Sequence, residues 1–431
     1  MLCPVWRNYI SMSRIRYYFN SAKEYGLINC IKRVLGTIGY TVAAPIYKYY
    51  LMRFTKIDEK KIVFCSKPSF SDNSKAMYDY LRSINDKQEY QFVWLIGHKE
   101  EIPNVQANDT VFLKRNVMSH SGMTFAALRE TATAKYVFFT HNSPFYDFGK
   151  KRTEQIVINL WHGCGYKDIQ KSATSWIFKN PCDYSLVPGD VFVKTKSGFW
   201  GCPEDKILSI GYPRYDYLLN ESETAKKYVE QMKGTGEKLI AWMPTFRKTK
   251  GGQFPESKIK GQFELPLLDS EEQLEELNCF LKEKNVVLCV KRHPSQLVYK
   301  CEKKQLSNIC FINNEDLQNA DVELYSFLRY TDALISDYSS VTVDYLLLCK
   351  PMAFSLDDFE AYKSTRGFVF EDPLCYMPGH HLYGYENMLE FVQDVAEGVD
   401  PYAEKRDMVM PEMHHPCDNY SKRVWEKVKN L

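Results

Sequence analysis

Several short stretches hold side chains able to do acid–base or phosphate chemistry. One is Asn159–Lys167, NLWHGCGYK, which follows the apolar β-branched run QIVI. A strand therefore ends at a Trp-His-Gly corner. Histidine is the side chain best matched to taking a proton near neutral pH. Gly163 and Gly165 let the backbone turn sharply or come close to a ligand. His162 is thus either a general base at the corner or a core histidine bonded to a carbonyl. GYPRYD (211–216) follows the strand-like ILSI. Its Arg214 could meet a phosphate or pair with Asp216.

The second half of the chain repeats the arrangement with different chemistry. WMPTFRKTKGG (242–252) ends a strand with Thr245, Arg247 and Lys248, and VKRHPSQ (290–296) ends another with Lys291, Arg292 and His293. In ISDYSSVTVDYLLL (335–348) a strand stops at Ser336-Asp337, Ser339-Ser340 opens a helix, and Asp344 follows on it. Hydroxyls and free N–H groups at a helix start form an anion site. Ser339 could also be a plain N-cap. Downstream, STRGFVFED (364–372) adds Arg366 and Gly367. Together these groups suit a diphosphate. Neither the G-x-x-x-x-G-K-S/T of a P-loop nor a G-x-G-x-x-G fingerprint occurs. No D-x-D motif points to a metal clamp, so side chains and the helix start would stabilise the leaving charge.

The elements that must position these groups alternate between strand and helix. KIVFCS (61–66), YQFVWLIG (90–97), AKYVFFTH (134–141), QIVINLWH (155–162), CDYSLVPG (182–189) and KILSIGYP (206–213) read as strands. After a polar helix and linker at 220–237 the pattern restarts with KLIAWMPT (238–245), VVLCVKRHP (286–294), SNICFINN (307–314), DALISDYSS (332–340) and PMAFSL (351–356). Helices are expected at 72–84 with Asp72 or Ser74 as cap, at 270–285 with a Ser270/Gln273 capping box, at 341–350, and at 418–431 capped by Asp418 or Asn419. Apolar strands separated by helices mean βα units around parallel sheets. Ligands in such folds bind beyond the carboxyl ends of the strands. The length of 431 residues suits two α/β domains. The expected division is a helical segment at 1–56, a Rossmann-like domain at 57–225 and a second at 226–431.

Composition narrows the partners. The net charge is +2, with 45% hydrophobic and 26% charged residues, which gives no case for nucleic acid. Thirteen scattered cysteines without a CxxC read as reduced core thiols of a cytoplasmic protein. HH at 380–381 and HHPC at 414–417 lack a complementary cysteine pair, so no metal is expected. From Met1 to Lys56 the basic residues face a single acid, Glu24, among interleaved aromatics. The uncharged run Val34–Tyr47 falls short of the roughly 20 residues that span a bilayer. No cleavable signal is evident. The segment suits helices lying in an anionic membrane surface, or helices docked on the protein's own body.

LWHGCGYK, GYPRYD, MPTFR, KRHP, SDYSSVTVDYLLLCKPMAF and RGFVFED, in that order, resemble the CDP-glycerol glycerophosphotransferase family of teichoic acid and capsule synthesis. KIVFCSKPSFSDNSKAMYDYL resembles the opening of its catalytic domain. The resemblance implies a GT-B fold: two Rossmann-like domains facing a cleft, with the donor in the second. It implies transfer of glycerol phosphate from CDP-glycerol to a hydroxyl of a lipid-linked acceptor (a polyprenyl-diphosphate saccharide or a polymer), with release of CMP. No cofactor is implied. His162 falls on the motif histidine expected to be the general base. His293 falls on the one expected to stabilise the donor phosphates. Arg247, Thr245, Arg292, Asp337, Ser339, Ser340 and Arg366 fall on the donor side, and Trp161, Gly163, Arg214 and Lys167 on the acceptor side of the cleft. Asp344 is either part of that set or a packing residue. The expected place is the cytoplasmic face of the membrane, peripherally held. Family members often read WHGTPLK and GYPRND where this chain has WHGCGYK and GYPRYD, which leaves the acceptor open and CDP-ribitol possible as donor. A GT-B glycosyltransferase or epimerase acting on a nucleotide-sugar is the competing reading, and a non-catalytic scaffold the third.

Overall fold

The computed structural model describes residues 49–97, 99–100, 102–103, 105, 107–116, 123–141, 143–146, 151–168, 182–234, 236–245, 265–292 and 299–431. Thirteen described strands run β1 (Asp58–Cys65), β2 (Gln91–Ile96), β3 (Thr110–Lys114), β4 (Ala134–Phe139), β5 (Ile156–Asn159), β6 (Tyr184–Val187), β7 (Ile207–Ser209), β8 (Lys238–Met243), β9 (Val286–Lys291), β10 (Ile309–Ile312), β11 (Ala333–Ser336), β12 (Met352–Ser355) and β13 (His380–Leu382). They form a sheet ordered β3-β2-β1-β4-β5-β6-β7 and a sheet ordered β10-β9-β8-β11-β12-β13. β1 pairs in parallel with β2 and β4, and every pair in the second sheet is parallel. The expectation of two parallel-sheet α/β domains holds. By packing, the described chain divides into one unit of residues 49–160 with 182–184 and another of 161–168 with 185–430.

In the first unit, alternate residues of β1 serve opposite faces, as the period of a strand requires. Val63 and Cys65 pack with Val93, Leu95, Val137 and Phe139 against Ala127 and Leu128 of the helix Phe125–Thr133. On the other face Phe64 stacks on Trp94 at 5.1 Å and Phe138 at 5.6 Å. Tyr78 of the helix Asp72–Ser83 meets Phe64 edge-on, and its hydroxyl lies 3.0 Å from Thr110 Oγ1. Burial on both faces explains why these strands read as continuous apolar runs.

In the second unit, Ile240, Trp242, Leu288, Val290, Ala333 and Ile335 are covered by two helices. Glu271–Glu283 contributes Leu274, Leu277 and Leu281, and Tyr385–Glu397 contributes Met388, Phe391, Val392 and Val395. Both sets follow helical spacing. Each such fully buried side chain stabilises by about 1.5–3 kcal/mol.

Four details differ from the sequence reading. The N-cap of Asp72–Ser83 is Ser71, not Asp72 or Ser74; Asp72 sits in the first turn, and the Ser74 hydroxyl donates to Cys65 O (3.0 Å). β3 and β13 were not expected: TVFLK is half polar and HHL is only three residues long. The 341–350 helix is shorter, Ser340–Tyr345, and closes as a 3₁₀ turn through Leu348. Asn419 does cap the last helix, accepting from Lys422 N at 2.7 Å. Ser270 accepts from Gln273 N, but Gln273 turns back to Asp269 N rather than completing the box.

Candidate active site

The segment Trp161–Asp168 leaves β5 and packs entirely within the second unit. Trp161 has φ of +57°, a conformation that costs a bulky residue energy and marks a sharp corner. Its ring is buried against Phe199 and Trp200, and the Lys196 ammonium lies 5.3 Å from its centre. That packing offsets the backbone strain. The His162 ring leans on Trp161 with centroids 4.0 Å apart. The corner histidine is therefore held through its neighbour as well as its own backbone.

Arg214 provides the second hold. Its Nη1 donates to the His162 carbonyl at 2.9 Å, and its Nη2 bonds Asp344 Oδ2 at 2.5 Å. Asp344 is fully buried and also accepts from the Tyr215 hydroxyl (2.5 Å) and the Tyr325 hydroxyl (2.6 Å). The Tyr325 ring covers the guanidinium at 4.6 Å. Burial, then the Asp344 charge, push the Tyr215 phenol well up, so it stays protonated and donates. A buried carboxylate with three donors is well satisfied; one stripped of its cation is not. This corrects one alternative: Arg214 pairs with Asp344, not with Asp216. Asp216 accepts instead from the backbone N–H groups of Tyr420 (2.6 Å) and Ser421 (2.9 Å), securing the start of the last helix.

The glycines of the corner have a specific cause. A Cβ on Gly163, at φ +127°, would lie 2.4 Å from Ser340 Oγ and 2.9 Å from Arg214 Nη2. One on Gly165 would lie 2.9 Å from Ser340 N. The corner thus meets the start of the helix Ser340–Tyr345 with no room for a side chain. Between them, Cys164 points inward, its sulfur 3.1 Å from the Tyr212 hydroxyl, and burial pushes its thiol up. The cysteine that departs from the commoner motif is an interior residue.

Other expected residues gather nearby. Asp337, fully buried at the end of β11, accepts from Thr245 N (2.9 Å) and from the Thr245 hydroxyl. Lys167 Nζ lies 3.3 Å from Thr245 Oγ1. Lys167 bridges Phe368, Asp168 N donates to Gly367 O (3.0 Å) and Val369 N to Tyr166 O (2.8 Å), so the strip beside Arg366 is laced to the corner segment. Ser339 stands at the N-cap position, but its hydroxyl makes no capping bond. Arg292 pairs through Nε with Glu302 at 3.1 Å. His293, Arg247 and Lys248 lie outside the described residues.

Two residues of this arrangement escaped the candidate set. Tyr215 lies in GYPRYD at the position that departs from the commoner motif, and Tyr325 lies in no motif. Lys291, the strand-end cation before Arg292, is 4% exposed, donates to Asn314 Oδ1 at 2.7 Å, and burial pulls its ammonium down to about 8.

Residues 47–430 match the model of the CDP-glycerol:poly(glycerophosphate) glycerophosphotransferase family. The chain belongs to that family. It is an enzyme of the glycerophosphotransferase type. The teichoic acid poly(glycerol phosphate) polymerase of Bacillus spizizenii is 26% identical over 367 residues, covering 78% of this chain and 83% of the relative. The teichoic acid ribitol-phosphate polymerase TarL of Staphylococcus aureus is 25% identical over 364 residues, covering 79% of this chain but 58% of the relative. A solved structure of the wall teichoic acid polymerase TagF superposes with a TM-score of 0.67 at 20% identity, over 94% of this chain and 98% of that one. At that identity the likeness is one of fold, and the fold is the two-sheet GT-B type that the glycerophosphotransferase motifs implied.

Proposed function

We propose that the chain transfers glycerol phosphate, or a related alditol phosphate such as ribitol phosphate, from its CDP-linked donor to a hydroxyl of a lipid-linked acceptor. His162 takes the proton of the acceptor hydroxyl as its oxygen attacks the β-phosphorus. A new P–O bond forms, the bond to the bridging oxygen breaks, and CMP leaves with the electron pair. The observation that carries this is the fixed corner: an imidazole packed on Trp161, on a backbone held by the Arg214–Asp344 pair, against the Ser339-Ser340 turn. A base held in place needs no reorganisation when it takes the proton.

Thr245, Ser339, Ser340, Arg292 and Arg366, with Arg247 and His293, are assigned to the donor diphosphate. Asp337 acts through Thr245, whose backbone and hydroxyl it holds. Trp161, Gly163, Arg214 and Lys167 shape the corner. Residues 57–225 are assigned to the acceptor half and 226–431 to the donor half. The enzyme works at the cytoplasmic membrane surface as a peripheral protein. No described helix is long and apolar enough to cross a membrane. Tyr49, Tyr50 and Phe54, at the end of the basic segment, present exposed rings suited to a lipid interface.

Nucleotide release tests the reading. The protein is incubated with CDP-glycerol, and separately CDP-ribitol, with a lipid-linked acceptor. CMP that forms only with donor and acceptor together supports it and names the alditol. UDP released from a nucleotide-sugar, with no CMP from either donor, would replace it with glycosyl transfer.

A further inference from the structure

The first unit has an edge of its own that the transfer chemistry leaves unused. The chain runs β1, β2, β3 to one side, then returns to lay β4 on the other side of β1. Where strand order reverses in this way, the loops beyond the carboxyl ends diverge and leave a crevice. Here that crevice is a cavity of about 380 Å³, within the range that holds a small ligand. Its walls follow the ends of all four strands: Lys67 and Ser69 after β1, Lys99 and Glu100 after β2, Arg115 after β3, and His141 after β4.

The lining is mixed in a telling way. Among the described residues that line it are three cations and one carboxylate. Arg115 is braced in the wall, with Nη1 3.4 Å from Cys65 Sγ and Nη2 3.5 Å from Ser143 O. The Glu100 carboxylate already accepts from the backbone N–H of Ser69 at 2.6 Å, so the loop after β1 demonstrably presents a donor to an oxyanion. Cations with an arginine fork match a phosphate. A carboxylate keeps lone pairs for hydroxyl donors, and a polyol supplies several of these beside its phosphate.

We infer that this crevice binds one polyol-phosphate unit of the acceptor polymer, with Arg115 and Lys67 on the phosphodiester and Glu100 on the polyol hydroxyls. The identity of the ligand rests on the proposed transfer reaction; the presence of an anion site does not.

The test is direct binding to the full chain without any CDP-linked donor, so that no turnover intervenes. A soluble glycerol-phosphate oligomer is titrated calorimetrically, beside inorganic phosphate and vesicles rich in anionic phospholipid. The oligomer is expected to bind more tightly than inorganic phosphate, and Arg115→Gln to raise its Kd by roughly tenfold or more, the loss of a charge-assisted contact. Lys67→Gln, at an exposed position that cannot upset folding, should raise it several-fold. An oligomer that does not bind, or binds both variants like the wild type, overturns the site. Vesicle binding that both variants lose while oligomer binding persists overturns the assignment to polymer. If CMP release fails for every donor while oligomer binding still depends on Arg115, the transfer reading falls and the anion site stands.

Discussion

The corner at His162 and the crevice beside β1 both lie at the ends of parallel strands, yet they manage charge in opposite ways. At the corner, Arg214 and Asp344 neutralise each other in the interior, and the pair is used to fix the histidine backbone. In the crevice, cations line a cavity. A charge directed inward positions; a charge directed at a cavity binds. Substitutions at the corner should therefore alter turnover and stability, while those in the crevice should alter affinity.

The largest expected effect is on rate. His162→Ala should lose about 10²–10⁴-fold in turnover, the worth of a positioned base, with the fold retained; turnover near wild type would remove the imidazole from the chemistry. Next comes stability. Asp344→Ala leaves the Arg214 charge buried alone and should cost about 3–5 kcal/mol, read as a lower urea midpoint. A loss under 1 kcal/mol would mean that the pair does not organise the corner. Gly163→Ala should be milder, about 1–3 kcal/mol from strain at positive φ, and should lower kcat more than it raises the KM for donor. An equal change in both would point to a binding role and weaken the contrast with the crevice.

The smallest effect concerns pH. Lys291 has a folded pKa of about 8, below its unfolded value near 10.4. Between those values the unfolded chain binds more protons, so this group makes stability rise as pH rises. Below about pH 8 both states are charged and the burial penalty is fully present. The slope is at most about 1.4 kcal/mol per pH unit. Urea titrations of the wild type and Lys291→Met between pH 8 and 10 should differ by that slope; parallel curves would place the ammonium in water.

How far the sequence could be read follows from the range of the forces involved. Strands such as KIVFCS and QIVI were legible because burial on both faces leaves an unbroken apolar run. β13 was not, since its three residues carry two histidines and pair only through neighbouring β12. The strand-end location of His162, Thr245, Asp337 and Ser339 was legible from Gly, Pro and hydroxyl residues after apolar runs. The choice of Asp344 over Asp216 was not. Asp216 lies two residues from Arg214 but faces the last helix, and the partner that wins is 130 positions away. A buried acid inside VTVDYLLL hinted that some cation must meet it; only the fold says which.

That distant pairing has a kinetic consequence. The donors that fix Asp344 come from residues 214, 215 and 325, and one of them also holds residue 162. Contacts of such sequence separation form only after large loops have closed. The imidazole should reach its working position only as the second unit completes its fold, so during refolding activity should return with the slowest structural phase rather than with the first-formed helices.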